Sequence, residues 1–158
     1  MCFFAVTHRL LTFPVTAWAH GVRMTTQTLH GSCHCGAVKF EARIDLAAGT
    51  SKCNCTYCLK ARNWSAMLKP ADFKLLNGGD SLTAYSGKNP TVTQYFCRTC
   101  GVMTHGAGNL EAMGGDFVSV RVTALDDVAP EALVEGPQRL CNGRDNAWWN
   151  PPAFTKHL

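Results

Sequence analysis

The pattern of apolar and polar residues along the chain predicts a protein built mainly from short β-strands. In residues 38–43, apolar and polar side chains alternate one by one, which is typical of a strand with one buried face. The same alternation recurs in residues 118–123. Further strands are predicted at residues 73–76, 82–85 and 91–96, because turn-forming residues separate these runs. The expected fold class is therefore mainly β.

Helical signals are short and few. The only candidates are residues 56–62 and 126–128, and no long amphipathic pattern is present. No stretch reaches the roughly 18 consecutive apolar residues that a membrane-spanning helix needs. We therefore expect short helical turns only, and no membrane partner.

The first 23 residues differ from the rest of the chain. They contain no Asp or Glu and show little periodicity. We interpret residues 1–23 as an extension that lies outside the fold, either because translation starts at Met24 or because the segment is a weak targeting signal. Residues 24–158 are then predicted to form a single zinc-binding domain. The polar, turn-rich tail at residues 143–158 is expected to be a strap whose aromatic side chains pack on the sheet.

The charge distribution argues against nucleic acid as a partner. The chain has 158 residues, a formal net charge of +4 and 16% charged residues. Its basic residues are scattered singly, whereas a nucleic-acid-binding surface would need them clustered. The net charge therefore indicates an ordinary solvated surface.

Nine cysteines stand out in a chain of this length. Their number is odd, so they cannot all pair with one another. Most of them also lie in tight Cys-x-Cys and Cys-x-x-Cys clusters, which suit a metal ion better than disulfides between distant strands. The sequence therefore predicts a reduced, cytoplasmic metal protein.

Three clusters carry this chemistry. They are Cys33-His34-Cys35-Gly36, Cys53-Asn54-Cys55-Thr56-Tyr57-Cys58 and Cys97-Arg98-Thr99-Cys100-Gly101. The outer two clusters supply two thiolates each, and two plus two would complete the tetrahedral shell of a structural zinc. The middle cluster supplies three thiolates and would leave one position open, as catalytic zinc sites do.

Spacing alone leaves several arrangements open. Cys33 and Cys35 could join the middle cluster instead of the third. Both sites could be purely structural, with His34 or His105 as a fourth ligand of the middle cluster. Cys2 and Cys141 stand alone and are interpreted as spare or buried thiols.

The clusters and their flanking residues resemble the glutathione-dependent formaldehyde-activating enzyme family, to which centromere protein V also belongs. The resemblance rests on Gly31-Ser32-Cys33-His34-Cys35-Gly36-Ala37-Val38, the middle cluster, and Phe96-Cys97-x-x-Cys100-Gly101. It continues in Asn142-Gly143-Arg144, Ala147-Trp148-Trp149 and Pro151-Pro152, so that it covers about Thr28 to the end of the chain. The resemblance implies a β-tent, in which antiparallel sheets are pinned by zinc.

The same resemblance implies two zinc ions per chain and a role for each cluster. Cys33, Cys35, Cys97 and Cys100 would hold a structural zinc. Cys53, Cys55 and Cys58 would hold a catalytic zinc at the open site. The implied activity is that of a carbon–sulfur lyase, which acts on adducts of an aldehyde with a thiol such as glutathione, the thiol binding at the open zinc.

Residues near the clusters supply candidates for supporting roles. His34, Tyr57 and His105 are candidate proton donors. Lys52, Lys60, Arg62 and Arg98 are candidate partners for the carboxylates of the thiol. Two other functions stay open: a zinc-stabilised binding module without catalytic activity, and a redox or metal-buffering role for the middle cluster.

Overall fold

The computed structural model describes residues 26–87 and 91–158, and within these ranges the protein is mainly β. The predicted extension at residues 1–23 lies outside the described residues, so the domain boundary stays a prediction. The described strands are β1 Gln27–Ser32, β2 Lys39–Ile44, β3 Thr50–Cys53, β4 Trp64–Leu68, β5 Phe73–Asn77, β6 Leu82–Ser86, β7 Val92–Cys97, β8 Met103–Leu110, β9 Gly115–Arg121 and β10 Gln138–Cys141. The described α-helices are α1 Thr56–Lys60 and α2 Pro130–Glu135. Neither has the length to cross a bilayer.

The strands form two sheets. The smaller sheet has the order β1-β2-β5, and the larger has the order β10-β3-β4-β9-β8-β7-β6. Neighbouring strands are antiparallel as expected, with one exception among the described pairs. Strand β10 pairs with β3 in parallel, which sets Cys141 beside Cys53. This pairing brings the end of the chain to the strand that begins the middle cysteine cluster.

The main core lies between the two sheets. Phe40 and Ile44 of β2 face Val120 of β9, and these three side chains are almost completely buried. A ring contact joins Phe40 to Phe73, with 5.6 Å between ring centroids. The alternation seen in residues 38–43 thus marks a buried face, as predicted. Burial of this apolar surface is the main force that holds the sheets together.

The helix predicted at residues 126–128 is wrong. These residues form a bend, and the helix begins at Pro130. The carboxylate of Asp127 accepts hydrogen bonds from the backbone N–H and ring Nδ1 of His30, each at 3.0 Å. Asp127 therefore anchors β1, while proline, with its fixed φ, suits the first turn of α2.

Strand β8 was not predicted, because Gly106 and Gly108 disfavour strands in sequence. Packing explains both residues. A Cβ on Gly106 would lie 2.7 Å from Oε1 of Gln94, and one on Gly108 would lie 2.4 Å from the backbone oxygen of Thr91. Close approach of neighbouring chain segments thus requires glycine here.

The tail does not pack its aromatic side chains on the sheet as expected. Trp148 is 44% exposed and Trp149 is 60% exposed. The indole N–H of Trp148 donates to Oδ1 of Asn146 at 2.8 Å, and the guanidinium of Arg139 lies 5.5 Å from the Trp149 ring. The tail is instead held by polar contacts to Asn54 of the middle cysteine cluster, to Lys52 of β3 and to Arg62, which follows α1.

Candidate metal centres

The first centre joins the two sheets. Cys33 follows β1 of the smaller sheet, while Cys97 ends β7 of the larger one. With Cys35 and Cys100 they place four sulfurs within 4.8 Å of one another. Glycine completes each turn, because Gly36 and Gly101 both adopt a φ of 74°, where other residues are strained. We call this group the four-cysteine centre.

The sulfur geometry fits a tetrahedral ion. A zinc ion with Zn–S distances of about 2.3 Å places its sulfurs about 3.8 Å apart. Here the sulfur of Cys35 lies 3.6 Å from that of Cys33 and 3.7 Å from that of Cys97. These distances are far longer than a disulfide bond, and all four cysteines are free. The backbone N–H of Val38 also donates to the Cys33 sulfur at 3.3 Å, which stabilises a thiolate there. The donor set therefore fits zinc.

The second centre lies on one loop. Cys53 ends β3, Cys55 caps α1, and Cys58 lies within α1. Their three sulfurs lie within 4.8 Å of one another. Among the described residues, no histidine nitrogen or carboxylate oxygen joins this group. We call it the three-cysteine centre, and it has three protein ligands within residues 26–87 and 91–158.

Hydrogen bonds favour thiolates at the three-cysteine centre. The backbone N–H of Cys55 donates to the Cys53 sulfur at 3.3 Å, and that of Cys58 donates to the Cys55 sulfur at 3.4 Å. The side-chain amide of Asn63 donates to the Cys58 sulfur at 3.3 Å. Each sulfur thus accepts one N–H donor, as expected of thiolates that bind a metal.

Without a bound cation, however, the three thiols of this centre do not all lose their protons. Hydrogen bonds from the Cys53 and Cys58 side chains lower the pKa of Cys55 to about 2. The hydrogen bond with Cys55 raises the pKa of Cys53, and the hydrogen bonds with Cys53 and Cys55 raise the pKa of Cys58; burial and the negative charge of Cys55 act in the same direction on both. Without an ion the cluster therefore favours a single thiolate. A divalent cation would supply the charge that makes three compatible.

Residues 142–144 of the tail contact the loop of the three-cysteine centre. Asn54, buried between two of its cysteines, donates to Oδ1 of Asn142 at 2.7 Å and accepts from the backbone N–H of Arg144 at 2.8 Å. A Cβ on Gly143 would lie 2.7 Å from the Cys53 sulfur and 2.6 Å from the Trp148 ring. The turn at residues 142–144 thus packs directly against the metal-binding loop.

Comparison with known proteins places this geometry in a family. A family model described as glutathione-dependent formaldehyde-activating enzyme matches residues 28–139. The chain belongs to this family. A crystal structure of a Rhodobacter sphaeroides protein is also similar, with 31% sequence identity and a TM-score of 0.60. That match covers 70% of this chain and 100% of that chain.

In this member of the formaldehyde-activating enzyme family, the structure groups the predicted ligands in one way. Cys33 and Cys35 lie with Cys97 and Cys100, and not with the middle cluster. Neither His34 nor His105 completes the three-cysteine centre. Cys141 lies beside Cys53 through the strand pairing, but its sulfur is not part of the cluster.

The three candidate proton donors lie in different places. His34 is exposed in the turn of the four-cysteine centre. His105 is buried in β8 between the rings of Phe73 and Tyr95, with centroid distances of 4.5 and 4.8 Å, and burial lowers its pKa to about 4. Tyr57 is carried by α1, and its hydroxyl lies 3.6 Å from the sulfur of Met103. Only Tyr57 belongs to the loop of the three-cysteine centre.

The sequence did not reveal a buried cation near this centre. Arg121 is 3% exposed, although alternation along β9 placed it on a polar face. Its Nη2 donates to Oε1 of Gln94 at 2.7 Å and lies 2.6 Å from the sulfur of Met103, whereas Nε and Nη1 have no partner among the described residues. Burial lowers the pKa of Arg121, and the negative charge of Cys58 opposes this shift. The positive charge of Arg121 thus interacts with the negative charge of Cys58.

Proposed function

We propose that the protein is a zinc-dependent carbon–sulfur lyase that acts on adducts of a thiol with an aldehyde, such as S-hydroxymethylglutathione. Cys33, Cys35, Cys97 and Cys100 hold a structural zinc, and Cys53, Cys55 and Cys58 hold the catalytic zinc. The observation that carries the proposal is the contrast between a complete four-sulfur shell and a shell of three sulfurs. Membership of an enzyme family supports it. We place the protein in the cytoplasm, where cysteines stay reduced.

The reaction needs little from the protein beyond positioning and charge. A zinc ion at the three-cysteine centre would hold the sulfur of the incoming thiol in its deprotonated form. In the direction of synthesis, this sulfur forms a bond with the aldehyde carbon, the electron pair of the carbonyl moves to oxygen, and that oxygen takes up a proton. The lyase direction breaks the carbon–sulfur bond and returns the proton.

Three residues of the chain orient a ligand, balance charge or donate a proton in this reaction. Asn63 orients Cys58 through its side-chain amide. Arg121 offsets negative charge on the thiolates from the buried side. The hydroxyl of Tyr57 carries its proton at neutral pH, as burial raises its pKa further above neutrality, and it is the candidate donor to oxygen.

The test is Cys55→Ser, with Cys141→Ser as the matched control. Cys141 lies one strand away from the cluster and contributes no sulfur to it. We expect Cys55→Ser to retain its circular dichroism spectrum, to fall from two zinc ions to one by elemental analysis, and to lose turnover of S-hydroxymethylglutathione. Cys141→Ser should keep both ions and the activity. Full turnover by Cys55→Ser would refute the proposal. Two zinc ions in wild-type protein that turns over no thiol adduct would favour a binding module instead.

A further inference from the structure

A buried cation near the three-cysteine centre has no counter-ion in the chain. Arg121 is 3% exposed, and none of the ion pairs within residues 26–87 and 91–158 includes it. Its Nη2 meets two uncharged partners, Oε1 of Gln94 and the sulfur of Met103, while Nε and Nη1 are buried without a partner in the described chain. An unpaired buried charge is costly, so an anionic ligand at this position would recover free energy.

The cations considered from the sequence differ from Arg121. Lys52 and Arg62 already donate to oxygen atoms of the tail. Lys60 and Arg98 are exposed, where water screens their charge. Of these five cations, Arg121 alone is buried. An anion would therefore change the energy of Arg121 more than that of the others.

The guanidinium of Arg121 lies next to groups that belong to the proposed reaction. The hydroxyl of Tyr57 lies 3.6 Å from the sulfur of Met103, and Nη2 of Arg121 contacts the same sulfur atom. Tyr57 directly precedes Cys58, a ligand of the three-cysteine centre. Arg121 is thus a neighbour of both the candidate proton donor and the metal-binding loop.

The side chains that cover Arg121 reach the surface. Tyr57, Gln94 and Met103 are each partly exposed. The ring of Tyr57 is stacked on that of Tyr85, which is 48% exposed. Methionine is unbranched and changes its conformation readily. A small ligand group would therefore reach the guanidinium from the surface when the thioether of Met103 moves aside.

The geometry of the reacting carbon indicates which anion suits this position. In an adduct of a thiol with an aldehyde, that carbon carries the sulfur, the hydroxyl oxygen and the remaining substituent of the aldehyde. With the sulfur at the three-cysteine centre and the hydroxyl at Tyr57, the remaining substituent would lie beside Arg121. A carboxylate suits a guanidinium well, because both groups are planar and the hydrogen bonds between them are charged. Formaldehyde has only hydrogen at this position and would leave Nε and Nη1 unpaired.

We propose that Arg121 forms a carboxylate subsite of the three-cysteine centre, so that the protein accepts adducts of thiols with carbonyl compounds that bear a carboxylate on the reacting carbon, such as glyoxylate. The inference rests on the proposed function for the reaction itself. In the lyase direction the carbon–sulfur bond breaks, its electron pair stays on sulfur, and the hydroxyl oxygen releases its proton as the carbonyl forms. The carboxylate is unchanged in this step, and Arg121 holds it through Nε and Nη1.

The first experiment compares two small thiols that bind without reacting. Mercaptoacetate keeps the sulfur, the carbon and the carboxylate of such an adduct, and 2-mercaptoethanol is a neutral thiol of nearly the same size. In calorimetry on the full zinc-loaded chain, mercaptoacetate should bind about tenfold more tightly, as expected for charged hydrogen bonds. In Arg121→Gln the two thiols should bind equally, and Arg121→Lys should recover part of the preference.

A second variant tests the subsite without removing the guanidinium. In Gln94→Glu the new carboxylate would pair with Nη2 of Arg121, where Oε1 of Gln94 lies at 2.7 Å, and should abolish the preference for mercaptoacetate. The matched control is Gln27→Glu, which makes the same change of charge at an exposed position in β1 and should keep the preference. If Arg121→Gln does not fold, Gln94→Glu decides the question.

Turnover supplies an independent readout. The kcat/KM for the adduct of glutathione with glyoxylate is divided by that for S-hydroxymethylglutathione. This ratio should fall about tenfold in Arg121→Gln and keep its wild-type value in Gln27→Glu. A general loss of folded protein or of zinc would lower both rates and leave their ratio unchanged.

The outcomes separate this inference from the proposed function. Equal affinity of the wild type for the two thiols would overturn the subsite, while the lyase function survives. A preference for mercaptoacetate that persists in Arg121→Gln and in Gln94→Glu would overturn it too. If neither thiol binds, the proposed function fails and the subsite fails with it. A preference that depends on Arg121 in a protein that turns over no adduct would support the subsite and remove the lyase function.

Discussion

Replacing His105 by glutamine tests how the buried polar centre of the larger sheet responds to acid. His105 is neutral at pH 7, because burial lowers its pKa from 6.5 to about 4, and the charge of Arg121 acts in the same direction. Its Nδ1 lies 2.9 Å from the Thr104 hydroxyl, and the rings of Phe73 and Tyr95 pack beside it with centroid distances of 4.5 and 4.8 Å. The folded state therefore resists a proton that the unfolded chain accepts readily.

The sign and the size of the effect follow from linkage. Between pH 6.5 and 4 the unfolded chain binds more protons at this position than the native one, so stability falls as the pH falls. With a pKa of about 4 in the folded state, lowering the pH from 7 to 5 costs about 2 kcal/mol of unfolding free energy at His105 alone. Above pH 7 the contribution is fully present and no longer changes.

The assay is urea denaturation of zinc-loaded wild type and His105→Gln at pH 7, 6 and 5, followed by circular dichroism. Glutamine cannot titrate, so the variant should lose less stability on acidification. The unfolding free energy of the wild type should therefore fall by about 2 kcal/mol more than that of the variant between pH 7 and 5. Loss of zinc at low pH affects both proteins and cancels in the comparison. Parallel curves would refute the reasoning, as would a His105 ring that titrates near pH 6.5 by NMR.

Further predictions concern the core and the two centres. Phe40→Ala removes a completely buried ring between the sheets, and urea denaturation should show a loss of about 3–5 kcal/mol; a loss under about 1 kcal/mol would contradict this packing. Cys97→Ser takes a ligand from the four-cysteine centre that joins the sheets, so the zinc-loaded variant should lose its cooperative thermal transition, and an unchanged Tm would count against that role. Gly143→Ala would push a methyl group against the Cys53 sulfur and should weaken zinc binding at the three-cysteine centre about tenfold in a chelator competition. Gly79→Ala, whose Cβ would meet nothing nearer than 3.7 Å, is the control, and equal affinities for the two variants would contradict the argument.

The local features of this protein could be predicted from its sequence. Strand β2 follows from simple alternation, since every second side chain of a strand faces the core. The cysteine clusters follow from spacing, because two or three thiolates on one tight turn converge without help from distant residues. Helix α1 was predicted for the same local reasons, and it ends two residues earlier than expected.

The features that depend on distant contacts could not be predicted in this way. Spacing did not decide which clusters share an ion, because that depends on β1 and β7 meeting across the sheets. The burial of Arg121 depends on both neighbouring strands, β4 and β8, and on what covers them. Arg62 has a positive φ of 48°, which its residue type does not demand, and the backbone N–H of the next residue, Asn63, donates to the carbonyl oxygen of Cys58 at 2.9 Å.

The parallel pairing of β10 with β3 has a consequence for the order in which the chain matures. All four ligands of the four-cysteine centre are synthesised before residues 138–141, so this centre can capture its ion before β10 is in place. The loop that contains Cys53, Cys55 and Cys58 also emerges early, but β10 and the turn that packs behind it arrive only at the end. We therefore expect the two ions to load in sequence, with the sheet-joining centre first. Until the tail docks, the thiols of Cys53, Cys55 and Cys58 lack the contacts of residues 142–144 and are open to oxidation and to competing metals.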